Sequence, residues 1–345
     1  MSAPVENILA RVHPPRVENG TQTRPQSAAP IPRLRARTFL ALPMAALIAT
    51  AVHWWAEKKQ PLPEPHYYTF LGILFAFGIA VALLQRFSTA IRRWVGETCP
   101  IIAAGIIVLA IWEIVTSGFR LLPLPYFPGP AGVLKSMLDD RTLLLQSAGD
   151  SLLRLLAGYA VGVSIALITG VCIGWYRAAR YWGMPLLKIV GPIPATAWIP
   201  LAMVVSPYPW LTPIGLVAIA VWFPVTMLTV SGIANTRASY LDVARTLGAT
   251  QKYLIFRVAI PAAMPNIFIG LFMGLGASFL TLIAAETVGV KSGLGWYVQW
   301  AQGWAEYGKV YGALIIMAAF FSTIMTALFK LRDRVLVWQK GMIKW

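Results

Sequence analysis

Residues 239–261 read SYLDVARTLGATQKYLIFRVAIP and form the longest polar interruption in the second half of the chain. The runs on either side of this segment are strongly apolar and almost uncharged. The charged residues of the segment are Asp242, Arg245, Lys252 and Arg257. Because long polar connections between apolar runs usually have a function, we expect segment 239–261 to carry one.

The local pattern of segment 239–261 predicts two short helices. Ser239 and Asp242 have the spacing of an S-x-x-D capping box, which begins the first helix. Gly248 stands where a helix stop requires a positive φ angle, and Pro261 is predicted to end the second helix.

The composition predicts an all-α integral membrane protein. The 345 residues are 58% hydrophobic and 12% charged, with a mean hydropathy of +0.66, whereas soluble domains have about 25% charged residues. Eight apolar runs approach the length that spans a bilayer: 38–56, 67–84, 100–117, 152–175, 189–205, 214–233, 267–288 and 310–329.

Basic residues suggest how the chain is oriented and divided. The net charge is +16, and most Lys and Arg residues fall on the side that eight spans assign to both termini and to segment 239–261. The positive-inside rule places that side in the cytoplasm. The sequence has no soluble basic face interleaved with aromatic residues, so nucleic-acid binding is not predicted. The predicted units are a disordered basic arm (1–37), a hairpin with its linker (38–99), a core (100–330) containing a cytoplasmic loop (235–265), and a basic tail (331–345).

Few residues are suited to reaction chemistry. The two cysteines, Cys99 and Cys172, lack metal-ligand spacing, and the three histidines are scattered in the N-terminal part, so we expect neither a metal site nor a cofactor. The sequence contains no G-x-x-x-x-G-K-[ST] phosphate loop, so the chain is not expected to hydrolyse ATP by itself.

Two acidic residues, Glu113 and Glu286, lie inside apolar runs. An intramembrane carboxylate is a candidate functional residue, and Glu286 is the better candidate for a transport path. Two alternatives stay open: Glu113 pairs with a neighbouring helix or with the membrane interface, and Glu286 accepts hydrogen bonds from the backbone of a neighbouring helix.

Helix-breaking and small residues add two further expectations. The fifth run contains Pro192, Pro194 and Pro200, whose freed carbonyl groups need partners from protein or from a water-filled cavity. We therefore assign these prolines to the lining of a path. Glycines four residues apart in the fourth and seventh runs predict close helix packing.

Segment 239–261 resembles the EAA loop of ABC-importer permeases, whose pattern is E-A-A, three residues, Gly, nine residues, then I-x-L-P. Asp242 stands at the Glu position, Val243 and Ala244 stand at the Ala positions, and Gly248 and Pro261 match. Val243 departs from the pattern because it is bulkier than Ala. The resemblance implies that the loop contacts an ATPase through Asp242, Val243, Ala244, Arg245, Leu247, Gly248, Ala249 and Pro261.

Three further stretches extend the resemblance to most of the chain. They are YFPGPAGVLKSM from residue 126, GPIPATAWIPLAMV from residue 191 and AAETVGVKSGLGW from residue 284. The last resembles permeases for nitrate, sulfonate, taurine and bicarbonate. The resemblance implies a type I importer core of six membrane helices, to which the N-terminal hairpin is an addition that packs on the core or recruits a partner.

The same resemblance implies the partners and the location. Two permease copies would form the pore in a bacterial inner membrane, separate ATPase subunits would bind ATP and Mg, and a periplasmic binding protein would deliver the substrate. The chain would then be a transport subunit and not an enzyme. An ion-coupled secondary transporter predicts inverted repeats and more intramembrane charge, and a membrane-embedded enzyme predicts an acidic or His cluster at one interface; neither pattern is evident.

Overall fold

The computed structural model describes residues 40–59, 65–84 and 89–338, with the backbone alone for residues 89–93. Every regular element among these residues is helical, as the composition predicts. The predicted disordered arm, residues 1–37, and the end of the predicted basic tail, residues 339–345, lie outside the described residues.

Thirteen α-helices follow one another in the described part of the chain. They are α1 (Ala41–Glu57), α2 (Pro65–Leu84), α3 (Thr89–Glu113), α4 (Pro130–Asp139), α5 (Arg141–Trp175), α6 (Arg177–Val190), α7 (Ile199–Val205), α8 (Leu211–Ala234), α9 (Ala238–Thr246), α10 (Gln251–Tyr253), α11 (Ile260–Gly289), α12 (Leu294–Gly303) and α13 (Tyr307–Val335). Single π-helical turns extend α3 and join α10 to α11.

Six helices of the described part are long and apolar enough to cross a membrane. The fifth predicted run, 189–205, begins only at the end of α6. α6 and the stretch Ala195–Val205 meet at 85°, and this bent pair would make a seventh span. The first run forms α1, whose 17 residues extend about 26 Å, somewhat less than the roughly 30 Å of a bilayer core.

The helices extend well beyond the apolar runs that predict them. α5 has 35 residues and begins at Arg141, whereas its apolar run begins near residue 152. α3 begins at Thr89 and contains Pro100, where the third run was expected to start. The reason is that backbone hydrogen bonds continue into polar sequence, so the apolar run marks only the part of a helix within the membrane.

α8 is the central helix of the core and packs along both α5 and α11. Glycines allow the close approach: a Cβ atom on Gly162 of α5 would lie 2.7 Å from the carbonyl oxygen of Ala218, and one on Gly270 of α11 would lie 3.0 Å from Val225 Cα. The prediction of close helix packing through glycines is therefore confirmed.

The N-terminal hairpin, α1 and α2, packs against α3 and α4 through a buried apolar cluster that includes Leu42, Leu71 and Ala103. The buried side chains of His53 and Glu113 meet inside this contact, with Nδ1 and Oε1 2.5 Å apart. The alternative that Glu113 pairs with a neighbouring helix is thus confirmed. The partner is His53, for which the sequence predicted no special role.

Candidate functional site

Segment 239–261 folds as two helical pieces joined by a tight turn. α9 ends at Thr246, and Gly248 adopts a φ of +82°, so the predicted glycine stop is confirmed. Thr250 then caps α10, because its hydroxyl accepts a hydrogen bond from the Tyr253 backbone N–H at 3.4 Å.

The predicted capping box at the start of α9 is wrong. The helix begins at Ala238, one residue before Ser239, and no side chain caps it. Asp242 instead forms an exposed ion pair with Arg245 at 3.1 Å. The i, i+3 spacing of opposite charges on one helix face favours this contact.

The prediction that Pro261 ends the second helix is also wrong. The π-helical turn Leu254–Ala259 carries the helix across this point, and Pro261 lies in the first turn of α11. Proline is tolerated there because the π-helical turn shifts the hydrogen-bond pattern and the N–H that proline lacks is not needed.

The turn at Gly248 lies beside an open groove of about 640 Å³. Five of the residues that the sequence assigned to ATPase contact line this groove: Val243, Ala244, Leu247, Gly248 and Ala249. The groove does not include the other three, Asp242, Arg245 and Pro261. Leu247 is 82% exposed and Val243 is 61% exposed, so two apolar side chains stand uncovered on a polar loop.

One continuous helix connects this groove with the opposite end of the bundle, which we call the distal end. The helical stretch Gln251–Gly289 has 39 residues and is about 58 Å long. The loop and the distal end are therefore joined by one uninterrupted helical rod.

A buried polar network, which we call the distal network, holds the far end of that rod. Glu286 is fully buried and accepts hydrogen bonds from Ser151 Oγ at 2.7 and 2.9 Å, from Arg154 Nη1 at 3.0 Å and from the Gly295 backbone N–H at 3.0 Å. The backbone acceptor role anticipated for Glu286 is therefore confirmed, whereas its role in a transport path stays a prediction.

Arg154 completes the distal network. Its Nη1 donates to the Ser292 carbonyl oxygen at 2.8 Å, and its Nη2 donates to the Ser292 hydroxyl. Sequence reasoning missed this residue, although it lies within α5 and is only 7% exposed. The available signal was the position of Arg154. This basic residue lies four positions before Gly158, on the face of α5 that packs closely on α8.

Glycines allow the connection after α11 to approach the carboxylate of Glu286. Gly293 has a φ of +102°, and a Cβ atom there would lie 2.4 Å from Glu286 Oε1. The Leu294 backbone N–H donates to Ser151 Oγ at 2.8 Å. Three elements, α5, α11 and α12, are therefore joined at one buried charge pair.

Three cavities follow one another along α8. The distal cavity, of about 460 Å³, is lined by Pro209 and Trp210, which directly precede α8. The next, of about 350 Å³, begins at Leu211, and the third, of about 410 Å³, shares Ile219 with it. The bent segment α6–α7 covers the second and third cavities. Pro194 lines the third cavity, whereas Pro192 and Pro200 are exposed on the same segment.

Another polar contact fixes α12, outside the membrane-spanning helices. The buried Tyr297 hydroxyl donates to Asp140 Oδ2 at 2.9 Å. Burial, together with this hydrogen bond to a carboxylate, raises the pKa of the Tyr297 phenol above its ordinary value. Asp140 lies between α4 and α5 and also pairs with Lys309 of α13 at 3.2 Å, so this carboxylate links α12 and α13 to the α4–α5 junction.

The long apolar helices define a multi-pass helical membrane protein, in which the loop between two of them exposes apolar side chains. Residues 158–336 match the family described as binding-protein-dependent transport system inner membrane component. The chain belongs to this family, and the family predicted from the EAA-like pattern is confirmed.

Relatives support the same family. A probable ABC transporter permease of Brucella abortus is 34% identical over 219 residues, which are 62% of this chain and 86% of the relative. The taurine transport system permease of Escherichia coli is 27% identical over 240 residues, 67% of this chain and 86% of the relative. The bicarbonate transport system permease of Synechococcus elongatus is 29% identical over 252 residues, 68% of this chain and 86% of the relative.

Proposed function

We propose that the chain is the transmembrane subunit of an ATP-driven importer for a small anion or organic solute. Relatives named for taurine and bicarbonate transport support this substrate range, and the sequence resemblance adds nitrate and sulfonates to it. ATP and Mg would bind to a separate ATPase subunit, because the sequence has no phosphate loop.

The observation that carries the proposal is the uncovered apolar surface at the Gly248 turn. Burying an exposed leucine side chain contributes about 1.5–3 kcal/mol, so Leu247 favours association with a second protein. A short helix inserted into a groove of a partner is a common recognition mode. Segment 239–261 would dock on the ATPase in this way, with Val243, Ala244, Leu247, Gly248 and Ala249 at the contact and Asp242 and Arg245 beside it.

The continuous helix Gln251–Gly289 gives this docking a mechanical consequence. Closure of the ATPase dimer would move the loop, and the helix would carry that motion to the distal network. Since the same helix lines the distal and the third of the cavities along α8, access to the series would alternate between the two membrane sides. Glu286 would act on this path by fixing its distal end, and Pro194 by lining it.

The assembly would contain two copies of this chain, and a periplasmic binding protein would deliver substrate at the distal end. All eight helical runs would lie in the bacterial inner membrane, with both termini and segment 239–261 in the cytoplasm. The core would comprise residues 100–330, and the basic tail, 331–345, would follow it as a separate cytoplasmic unit. The hairpin within residues 38–99 would pack on its periphery, as the buried contact between His53 and Glu113 supports.

The substitutions Gly248→Asp and Gly248→Asn provide a matched test. Both side chains tolerate the left-handed conformation, and a Cβ atom at this position meets nothing within 4 Å, so the two variants differ only in charge. Gly248→Asp is expected to lower ATPase co-purification and substrate uptake at least tenfold, with membrane insertion unchanged, whereas Gly248→Asn retains most of both. Unchanged co-purification and uptake in Gly248→Asp would refute docking through this turn.

A further inference from the structure

Among the three cavities along α8, only the distal cavity has charged residues in its lining. Its basic residues are Arg154 and Lys291, and Ser292 adds a hydroxyl group. No carboxylate lines it, because Glu286 is fully buried beneath Arg154. Glu286 balances the charge of Arg154, so the net positive charge of the distal cavity comes from Lys291, at the end of a series of cavities without charged lining residues.

The two basic residues of the distal cavity differ in how firmly they are held. Arg154 is 7% exposed, and its guanidinium group is held by Glu286 and Ser292. Three of its five N–H groups are donated to Glu286 and Ser292, which leaves the Nε hydrogen and one Nη2 hydrogen for a ligand. Lys291 is exposed at the cavity rim, and no carboxylate lines the cavity beside it. A fixed guanidinium together with an exposed ammonium group is suited to an oxyanion, which accepts several charge-assisted hydrogen bonds at once.

Size and continuity agree with a small solute. The volume of about 460 Å³ falls within the range of about 300–1,000 Å³ typical of small-molecule sites. Trp210 supplies an aromatic wall for an organic group. The next cavity begins at Leu211, directly after Trp210 of the distal cavity. A solute in the distal cavity therefore lies at one end of the series.

We propose that the distal cavity is the entry site of the path, and that Lys291 and Arg154 bind the oxyanion group of a small organic anion there. This inference rests on the proposed import function and narrows it to solutes with a sulfonate or carboxylate group. Lys291 makes the adjustable contact, whereas Arg154 is held in position by the distal network.

Direct binding to the purified full-length chain tests the site without an ATPase. Ethanesulfonate is titrated against the protein in phosphatidylcholine nanodiscs, and thermal unfolding reports occupancy, since a ligand that binds the folded state raises the unfolding temperature. Ethanesulfonate is expected to raise it, and neutral dimethyl sulfone is expected to leave it unchanged. Equal shifts with both compounds would overturn the proposal.

Lys291 variants show where ethanesulfonate binds. Loss of a charge-assisted contact predicts a Kd about tenfold higher or more for Lys291→Gln, with affinity largely restored in Lys291→Arg. The matched control is Lys58→Gln, which removes an exposed lysine that does not line the distal cavity; its Kd is expected to match that of the unsubstituted chain. An unchanged Kd in Lys291→Gln would overturn the assignment.

Two further experiments complete the test. The first distinguishes a solute site from a lipid-headgroup site, and the second separates failure of the proposed site from failure of the proposed import function. In phosphatidylglycerol nanodiscs the Kd for ethanesulfonate is expected to stay the same, and loss of binding there would assign the cavity to a lipid headgroup and overturn a solute site. A chain that binds ethanesulfonate but supports no ATP-driven uptake would refute the import function and leave the site intact. A complex active in uptake that shows no such binding would refute the site alone.

Discussion

Replacement of Glu286 by Gln is expected to destabilise the fold strongly. The substitution preserves shape but leaves the guanidinium of Arg154 buried without its carboxylate. Removing one partner of a buried ion pair costs about 3–5 kcal/mol. We expect about 3 kcal/mol, near the lower end, because Arg154 keeps its two bonds to Ser292 and the amide oxygen still accepts one bond.

The assay is equilibrium unfolding of the purified chain in mixed detergent micelles, followed by tryptophan fluorescence. Glu306→Gln is the matched control, since Glu306 makes the same type of pair with Lys309 at a half-exposed position. Exposed pairs contribute about 0–1 kcal/mol, so this variant should unfold almost as the unsubstituted chain does.

A double variant, Arg154→Met with Glu286→Gln, sharpens this test. Removing both charges should cost less than the sum of the two single changes, because no uncompensated buried charge remains. If Glu286→Gln unfolds within about 1 kcal/mol of the unsubstituted chain, as expected for an exposed pair, the distal network does not hold the three helices together.

Three other predictions concern the core, α12 and the hairpin. Gly162→Leu should prevent assembly of the α5–α8 contact, since even a Cβ atom would lie 2.7 Å from a backbone carbonyl oxygen; normal yield of folded protein on size-exclusion chromatography would contradict this. The raised pKa of Tyr297 means that its stabilising contribution is complete below the unfolded pKa near 10 and is lost as pH rises through the folded-state pKa. Stability should therefore fall at alkaline pH, and Tyr297→Phe should flatten that fall in unfolding measured against pH. Glu113→Gln should loosen the hairpin and increase hydrogen exchange in α1, with α8 unaffected; unchanged exchange in α1 would show that the contact with His53 does not fasten it.

The sequence predicted the apolar helices and the Gly248 turn because both depend on local physical requirements. A span requires a continuous apolar run, and a positive φ angle favours glycine. The helix ends were predicted poorly for the same local reason. Hydropathy changes where the membrane ends, whereas α5 and α11 extend beyond that point because their backbone hydrogen bonds continue. The position of Pro261 inside a helix depends on a π-helical turn, which no residue pattern predicts.

The polar networks could not be predicted because their members are far apart in sequence. Arg154 and Glu286 are separated by 132 residues, and His53 and Glu113 by 60. One sequence contains no information on which distant side chains meet. The buried acids were recognised as unusual, but their partners depend on how α1, α3, α5 and α11 pack.

The most direct measurement of the central claim is uptake by proteoliposomes that contain the full-length chain with the ATPase and binding protein that co-purify with it. Labelled taurine and bicarbonate are offered with and without ATP. ATP-driven import predicts uptake of at least one of these solutes that requires ATP hydrolysis. This uptake should be lost in Leu247→Glu and retained in Gln251→Glu, which adds the same charge outside the groove. Uptake driven by an imposed proton or sodium gradient without ATP would refute ATP-driven import.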